Sequence, residues 1–137
     1  MMEKHIIIRW RAEAVESSPP GWTQTWVPNT DICEREDAVV VRVEVAGVAA
    51  DDLEILVEEE SLVVRGIREN PATGETAAGY RFRQLEIEYG PFQRVVPLPF
   101  PVNADQAEAR LRNGILEIRL PRTMAAGQTI DVVVEDD

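Results

Sequence analysis

The chain has 137 residues, of which 14 are Lys or Arg and 25 are Asp or Glu, for a formal net charge of −11. That length suits one domain with a real core but not two, and the acidic balance repels polyanions, so neither nucleic acid nor an anionic membrane is an expected partner. A single cysteine, Cys33, rules out an internal disulfide, and no N-terminal run is long and apolar enough for a signal core or membrane span, so a cytoplasmic protein is expected.

The chain opens with His5-Ile6-Ile7-Ile8-Arg9-Trp10-Arg11, where β-branched residues and a tryptophan stand beside arginines. Ser17-Ser18-Pro19-Pro20-Gly21 follows, a breaker cluster that no regular element should cross. Two readings of this arm stay open. Ile6, Ile7, Ile8 and Trp10 form either an extra strand on the edge of the body or an apolar arm that contacts neighbouring subunits or unfolded chains.

From Trp26 the pattern turns to period two. Cys33 follows Ile32 in a strand-like segment, where a small buried hydrophobe is expected rather than a reactive thiol. Val39, Val41, Val43 and Val45 alternate with Val40, Arg42 and Glu44 until Gly47 ends the run. Leu53, Ile55 and Val57 alternate with Glu54, Leu56 and Glu58, then Leu62 and Val64 with Val63 and Arg65, with a turn at Glu59-Glu60. The longest connection runs from Gly66 to about Gly90 through Asn70-Pro71-Ala72-Thr73-Gly74 and Tyr80-Arg81-Phe82-Arg83. A loop of that length is rarely idle in a compact domain.

Asn103 to Ala107 predicts one helical turn capped by Asn103. Next comes a hairpin in which Ala107, Ala109 and Leu111 alternate with charged residues, as do Leu116, Ile118 and Leu120. Asn113-Gly114 joins its arms, since both central residues of a type I′ turn need positive φ, and Pro121 stops the second strand. The tail then reaches Ile130-Asp131-Val132, whose apolar pair at i and i+2 shares one side of an extended strand. Short strands bounded by Gly and Pro predict an all-β fold, an immunoglobulin-like antiparallel sandwich.

No catalytic constellation emerges. The one histidine, His5, is remote from any carboxylate-rich motif, so neither a Ser-His-Asp arrangement nor a multi-histidine metal site is supported. Phosphate-loop and dinucleotide fingerprints are missing, and the acidic residues occupy outward positions or turns. The expectation is a protein that is not an enzyme and uses no cofactor or metal.

The stretch A-R-L-R-N-G-I-L from Ala109 to Leu116 carries an A-x-x-x-N-G-x-L pattern. In order before it stand W-V-P-N-T-D-I-C-E at Trp26 to Glu34, V-E-V-A-G-V at Val43 to Val48, D-L-E-I at Asp52 to Ile55, L-V-V-R-G at Leu62 to Gly66 and G-P-F-Q-R at Gly90 to Arg94. From Trp26 to Pro121 the chain thus resembles the small heat-shock protein (α-crystallin domain) family in its bacterial or plant form. That resemblance implies an N-terminal arm over 1–25, an α-crystallin domain over 26–121 and a tail with an anchor motif over 122–137.

The resemblance also implies assembly. Tyr80, Arg81, Phe82 and Arg83 would form a strand that crosses to a second subunit and joins its sheet, with Arg94 at the same dimer interface and Glu86 or Glu88 as its acidic partners; the bland alternatives are a solvated hairpin and a surface charge. Ile130 and Val132 would enter a groove of another subunit between the strand of Leu53, Ile55 and Val57 and that of Ala107, Ala109 and Leu111, linking dimers into a larger homo-oligomer. The competing reading runs the tail along the subunit's own sheet. Functionally, the resemblance implies an ATP-independent holdase that binds partly unfolded client proteins. A sandwich-fold co-chaperone adaptor, or a member that assembles but no longer binds clients, are the alternatives.

Overall fold

The computed structural model describes residues 25–58, 60–72, 78–123, 132 and 134, together with the backbone of 7–11. Two four-stranded sheets form it. One holds β1 (Ile7–Arg11), β4 (Leu53–Glu58), β5 (Ser61–Arg68) and β6 (Gly90–Pro97), in that order. The other runs β2 (Thr30–Glu34), β3 (Ala38–Glu44), β8 (Ile115–Pro121), β7 (Glu108–Arg112). Every pairing is antiparallel except that of β1 with β4, which is parallel. The all-β sandwich expected from the alternation is therefore present, and part of the arm lies in it as an added strand.

The core sits where the inward rows of the two sheets meet. Val39, Val41 and Val43 of β3 and Leu116, Ile118 and Leu120 of β8 face Ile55, Val57, Leu62, Val64, Phe92 and Val96 of the opposite sheet, all fully buried. Burying each such side chain contributes roughly 1.5–3 kcal/mol. Trp26 closes one side: its ring lies 4.9 Å from that of Phe92, its indole N–H donates to the Gly90 carbonyl at 2.9 Å, and the Arg68 guanidinium stacks 3.9 Å above it.

The local expectations hold at both turns. Asn113 and Gly114 have φ of 53° and 79° and join β7 to β8, and Ala104–Gln106 forms a short 3-10 turn in which the Asn103 side chain accepts from the Asp105 amide at 3.1 Å. Four expectations need correction. β5 continues through Gly66 to Arg68, so the long connection starts later. Ala107 precedes β7 rather than lying in it. Cys33 is exposed, because β2 is an edge strand with both faces open to water. Finally, the face of β4 and β5 turned away from the core is not uniformly wet: Leu56 and Val63, opposite each other in the ladder, are buried, as are Glu58 and Arg65. Ser61 donates to the Glu58 carboxylate at 2.9 Å, which meets part of the cost of that burial.

Candidate functional site

Strand edges are surfaces that can act, because backbone donors and acceptors lie open there for an added strand. β2 is one. It pairs with β3 on one side only, and Asp31, Ile32, Cys33 and Glu34 are all exposed. Beside Cys33, the Arg42 guanidinium donates to Glu117 at 3.0 Å and lies 3.7 Å from the thiol sulfur. The Glu117 carboxylate raises the Arg42 pKa above its already high ordinary value. Being solvent-exposed, this pair positions side chains more than it stabilises the sheet.

The connection from β5 to β6 supplies the complementary feature. Tyr80, Phe82, Leu85 and Ile87 are each more than half exposed, an unusual density of solvated apolar surface for eight residues. Within the single subunit, Tyr80 to Arg83 form no strand, and Arg81 and Arg83 point into solvent exposure alongside them. Arg68 holds the far end of the connection by donating to the Glu88 carbonyl at 2.9 Å. Leu85 and Ile87 were not anticipated from the sequence, although their alternation with Glu86 and Glu88 continues the pattern of Tyr80 to Arg83 after one change of phase. Arg94 lies half-buried on β6 opposite Val64, on the face that carries Phe92 and Val96. Among the described residues it makes no ion pair with Glu86 or Glu88.

The second surface involves β4, β7 and the tail. Leu53, Ile55 and Val57 are buried in the core, while Ala107, Ala109 and Leu111 are half-buried against it. β7 pairs with β8 alone among the described strands, but β4 has β5 on one side and β1 on the other. Of the arm residues singled out from the sequence, Ile7, Ile8 and Trp10 lie in β1 and Ile6 lies outside the described residues. Val132 and Val134 are 81% and 76% exposed and belong to no strand, which goes against a tail running along its own sheet. Ile130 lies outside the described residues.

Among the described residues no cluster of three His, Cys, Asp or Glu side chains could hold a metal ion, and no helix is long and apolar enough to cross a membrane.

Comparison with known proteins gives a consistent result. The Hsp20/alpha crystallin family profile matches residues 31–135. "Small heat shock protein C2" of Rickettsia felis is 35% identical over 96 residues, covering 70% of this chain and 60% of its own length. "Heat shock protein 16" of Schizosaccharomyces pombe is 33% identical over 95 residues, covering 69% and 66%. The matched region thus spans about three fifths to two thirds of these relatives. Among solved structures, heat shock protein 16.0 from S. pombe superposes with a TM-score of 0.69 at 28% identity, covering 88% of this chain and 81% of that one. The hspA of Xanthomonas axonopodis gives 0.64 at 37% identity, covering 74% and 98%.

Proposed function

This chain belongs to the Hsp20/alpha crystallin family of small heat-shock proteins, and from that membership, which implies a chaperone role, we propose that it is an ATP-independent holdase that binds partly unfolded proteins and keeps them from aggregating. The observation that carries the reading is the solvated apolar row Tyr80, Phe82, Leu85 and Ile87 beside a β2 edge that is open on its outer side among the described residues, Leu85 and Ile87 lying outside the segment that a dimer would use. Such surface captures exposed apolar segments by mass action, in competition with their irreversible aggregation, and no chemistry is required. The net charge of −11 keeps the resulting complexes soluble.

The same row supports a homo-dimer in which Tyr80 to Arg83 of one subunit add to β2 of the other, with Arg94 near the contact. Pairing there satisfies backbone groups that both segments leave open. Ile130 and Val132 act as the anchor that joins dimers into a larger homo-oligomer, the exposure of Val132 leaving it available to another subunit. A free, exposed Cys33 suits the reducing cytoplasm as the working compartment.

The test is light scattering of a heat-labile client enzyme with and without the protein. Suppression of scattering at stoichiometric amounts, without ATP, is expected; an unchanged aggregation curve would overturn the proposal.

A further inference from the structure

We infer that Asp31 selects the strand that adds to β2: it ends a row of alternating charges at the open edge of its sheet, and Arg83 of a second copy continues that row. This rests on the reading in which Tyr80 to Arg83 pair with β2 of another subunit. The row crosses four strands. Arg110 of β7 stands opposite Glu117 of β8, Glu117 opposite Arg42 of β3, and Arg42 opposite Asp31 of β2. These side chains point away from the core, for Val41 and Val43 on either side of Arg42 are buried, as are Leu116 and Ile118 on either side of Glu117. Arg42 and Glu117 are already in contact at 3.0 Å. From β7 outward the signs run plus, minus, plus, minus, and opposite charges on neighbouring strands favour pairing. The next place belongs to the added strand, and it calls for a cation.

The backbone of β2 fixes where that cation must stand. The Asn29 carbonyl accepts from the Glu44 amide at 3.0 Å, and the Arg35 amide donates to the Ala38 carbonyl at 2.8 Å. In an antiparallel ladder such bonded pairs recur at every second residue. Asp31 and Cys33 therefore turn their backbone groups toward β3, whereas Thr30, Ile32 and Glu34 turn theirs to the open edge. Ile32 is 46% exposed and lies beside the core residue Val41. Phe82, exposed and apolar, is its match. Placing Phe82 on Ile32 in an antiparallel pairing sets Arg83 beside Asp31, Arg81 beside Cys33 and Tyr80 beside Glu34, so the whole segment is used. Positions 31 and 33 are then the non-hydrogen-bonded sites, where facing side chains come closest.

Other registers fit less well. A slip of one residue sends the arginines to the core side of the sheet. A slip of two in one direction brings Arg81 against Arg35, and in the other leaves Cys33 and Glu34 without a partner. A parallel strand would set Arg81 beside Asp31, but parallel ladders are the weaker per residue. Since this chain carries both Asp31 and Arg83, its copies suit one another, and a relative with a cation at the first position or an anion at the second is rejected by like charges.

The test measures dimer dissociation by analytical ultracentrifugation over a dilution series, on full-length chain carrying Ile130→Ala/Val132→Ala so that dimers are not joined further. Asp31→Arg alone and Arg83→Asp alone should each weaken dimerisation at least about tenfold, because both contacts of the pair then oppose like charges. An equimolar mixture of the two variants should recover the parent value to within about threefold, since each contact again joins opposite signs. Single variants that dimerise like the parent, or a mixture that stays weak, overturn the role of Asp31. Register is read separately from the native Cys33. On oxidation Arg81→Cys should give a disulfide-linked dimer on a non-reducing gel, Arg83→Cys should give none, and Cys33→Ser should abolish the band. Linkage through Arg83→Cys instead overturns the pairing of Arg83 with Asp31 while leaving the added strand in place. No linkage by either, with dimers that survive deletion of Tyr80 to Arg83, overturns the strand exchange and this inference with it.

Discussion

Gly66 and Phe92 face each other across β5 and β6, and a Cβ built on Gly66 would lie 2.7 Å from the Phe92 ring and 2.5 Å from the Asp52 carbonyl oxygen. The glycine is there because the ring lies flat on the strand. Any side chain must push apart a fully buried phenylalanine or the backbone entering β4. Gly66→Ala is expected to cost about 1–3 kcal/mol, the usual range for overpacking a core, read as a lowered urea midpoint with an unchanged slope. A midpoint equal to that of the parent would mean that the sheet yields there without strain.

The turn at Asn113 and Gly114 makes a second demand on the backbone. Both residues have positive φ, the Gly114 carbonyl accepts from the Val45 amide at 2.8 Å, and a Cβ on Gly114 would lie 3.0 Å from the Ala46 Cα. Gly114→Ala should therefore destabilise by about 1–2 kcal/mol through the left-handed conformation alone. Asn113→Gly should be close to neutral. Thermal unfolding of the two variants side by side checks the contrast.

Arg68 links the core to the connection that follows β5, since its guanidinium stacks on Trp26 while one nitrogen holds the Glu88 carbonyl. Arg68→Ala should lower global stability by about 0.5–1 kcal/mol, the scale of an exposed cation–π contact. Its larger effect should be local, as faster amide exchange over residues 86–89 measured by mass spectrometry. Equal exchange in the variant would show that Thr25, which donates to the Tyr89 carbonyl at 2.9 Å, suffices to hold that end.

If Tyr80 to Arg83 add to β2 of a second subunit, deletion of those four residues should leave monomers in size-exclusion chromatography with light scattering. The exposed Cys33 on β2 supplies an independent probe. Its alkylation by maleimide should be slower in the intact dimer than in the deletion variant. Arg94→Glu should weaken dimerisation at least about tenfold, as expected when a charge near a crowded contact is reversed. Intact dimers after the deletion would rule out the strand exchange.

Much of the body could be read from residue order alone. The valines of β3, the Asn103 cap and the Asn113-Gly114 turn are specified by neighbours within a few positions, where periodicity and backbone preference act directly. What escaped the reading depends on residues far apart. Alternation told that Leu56, Val63, Glu58 and Arg65 face away from the core but not that this face is covered. The same pattern could not tell that Cys33 sits on an edge strand, nor that Gly66 continues β5 instead of opening a loop. Leu85 and Ile87 were overlooked because a phase change interrupts the alternation begun by Tyr80 and Phe82. For the arm, composition left an added strand and a free apolar segment equally open, because the choice lies with β4, well separated along the chain.

That separation has a consequence for the order of events during folding. The β7–β8 hairpin closes around a two-residue turn, whereas β1 must find a parallel partner across the whole of β2 and β3. Local hairpins form in microseconds, while pairings with long intervening chain wait on loop closure and a preformed surface. β1 should therefore dock last in refolding and open first under mild denaturant, with the sandwich intact beneath it. Pulse-labelled hydrogen exchange would show its amides protected after those of residues 108–121, and on a chain emerging from the ribosome Ile7–Arg11 would have no strand to pair with until β4 had been made.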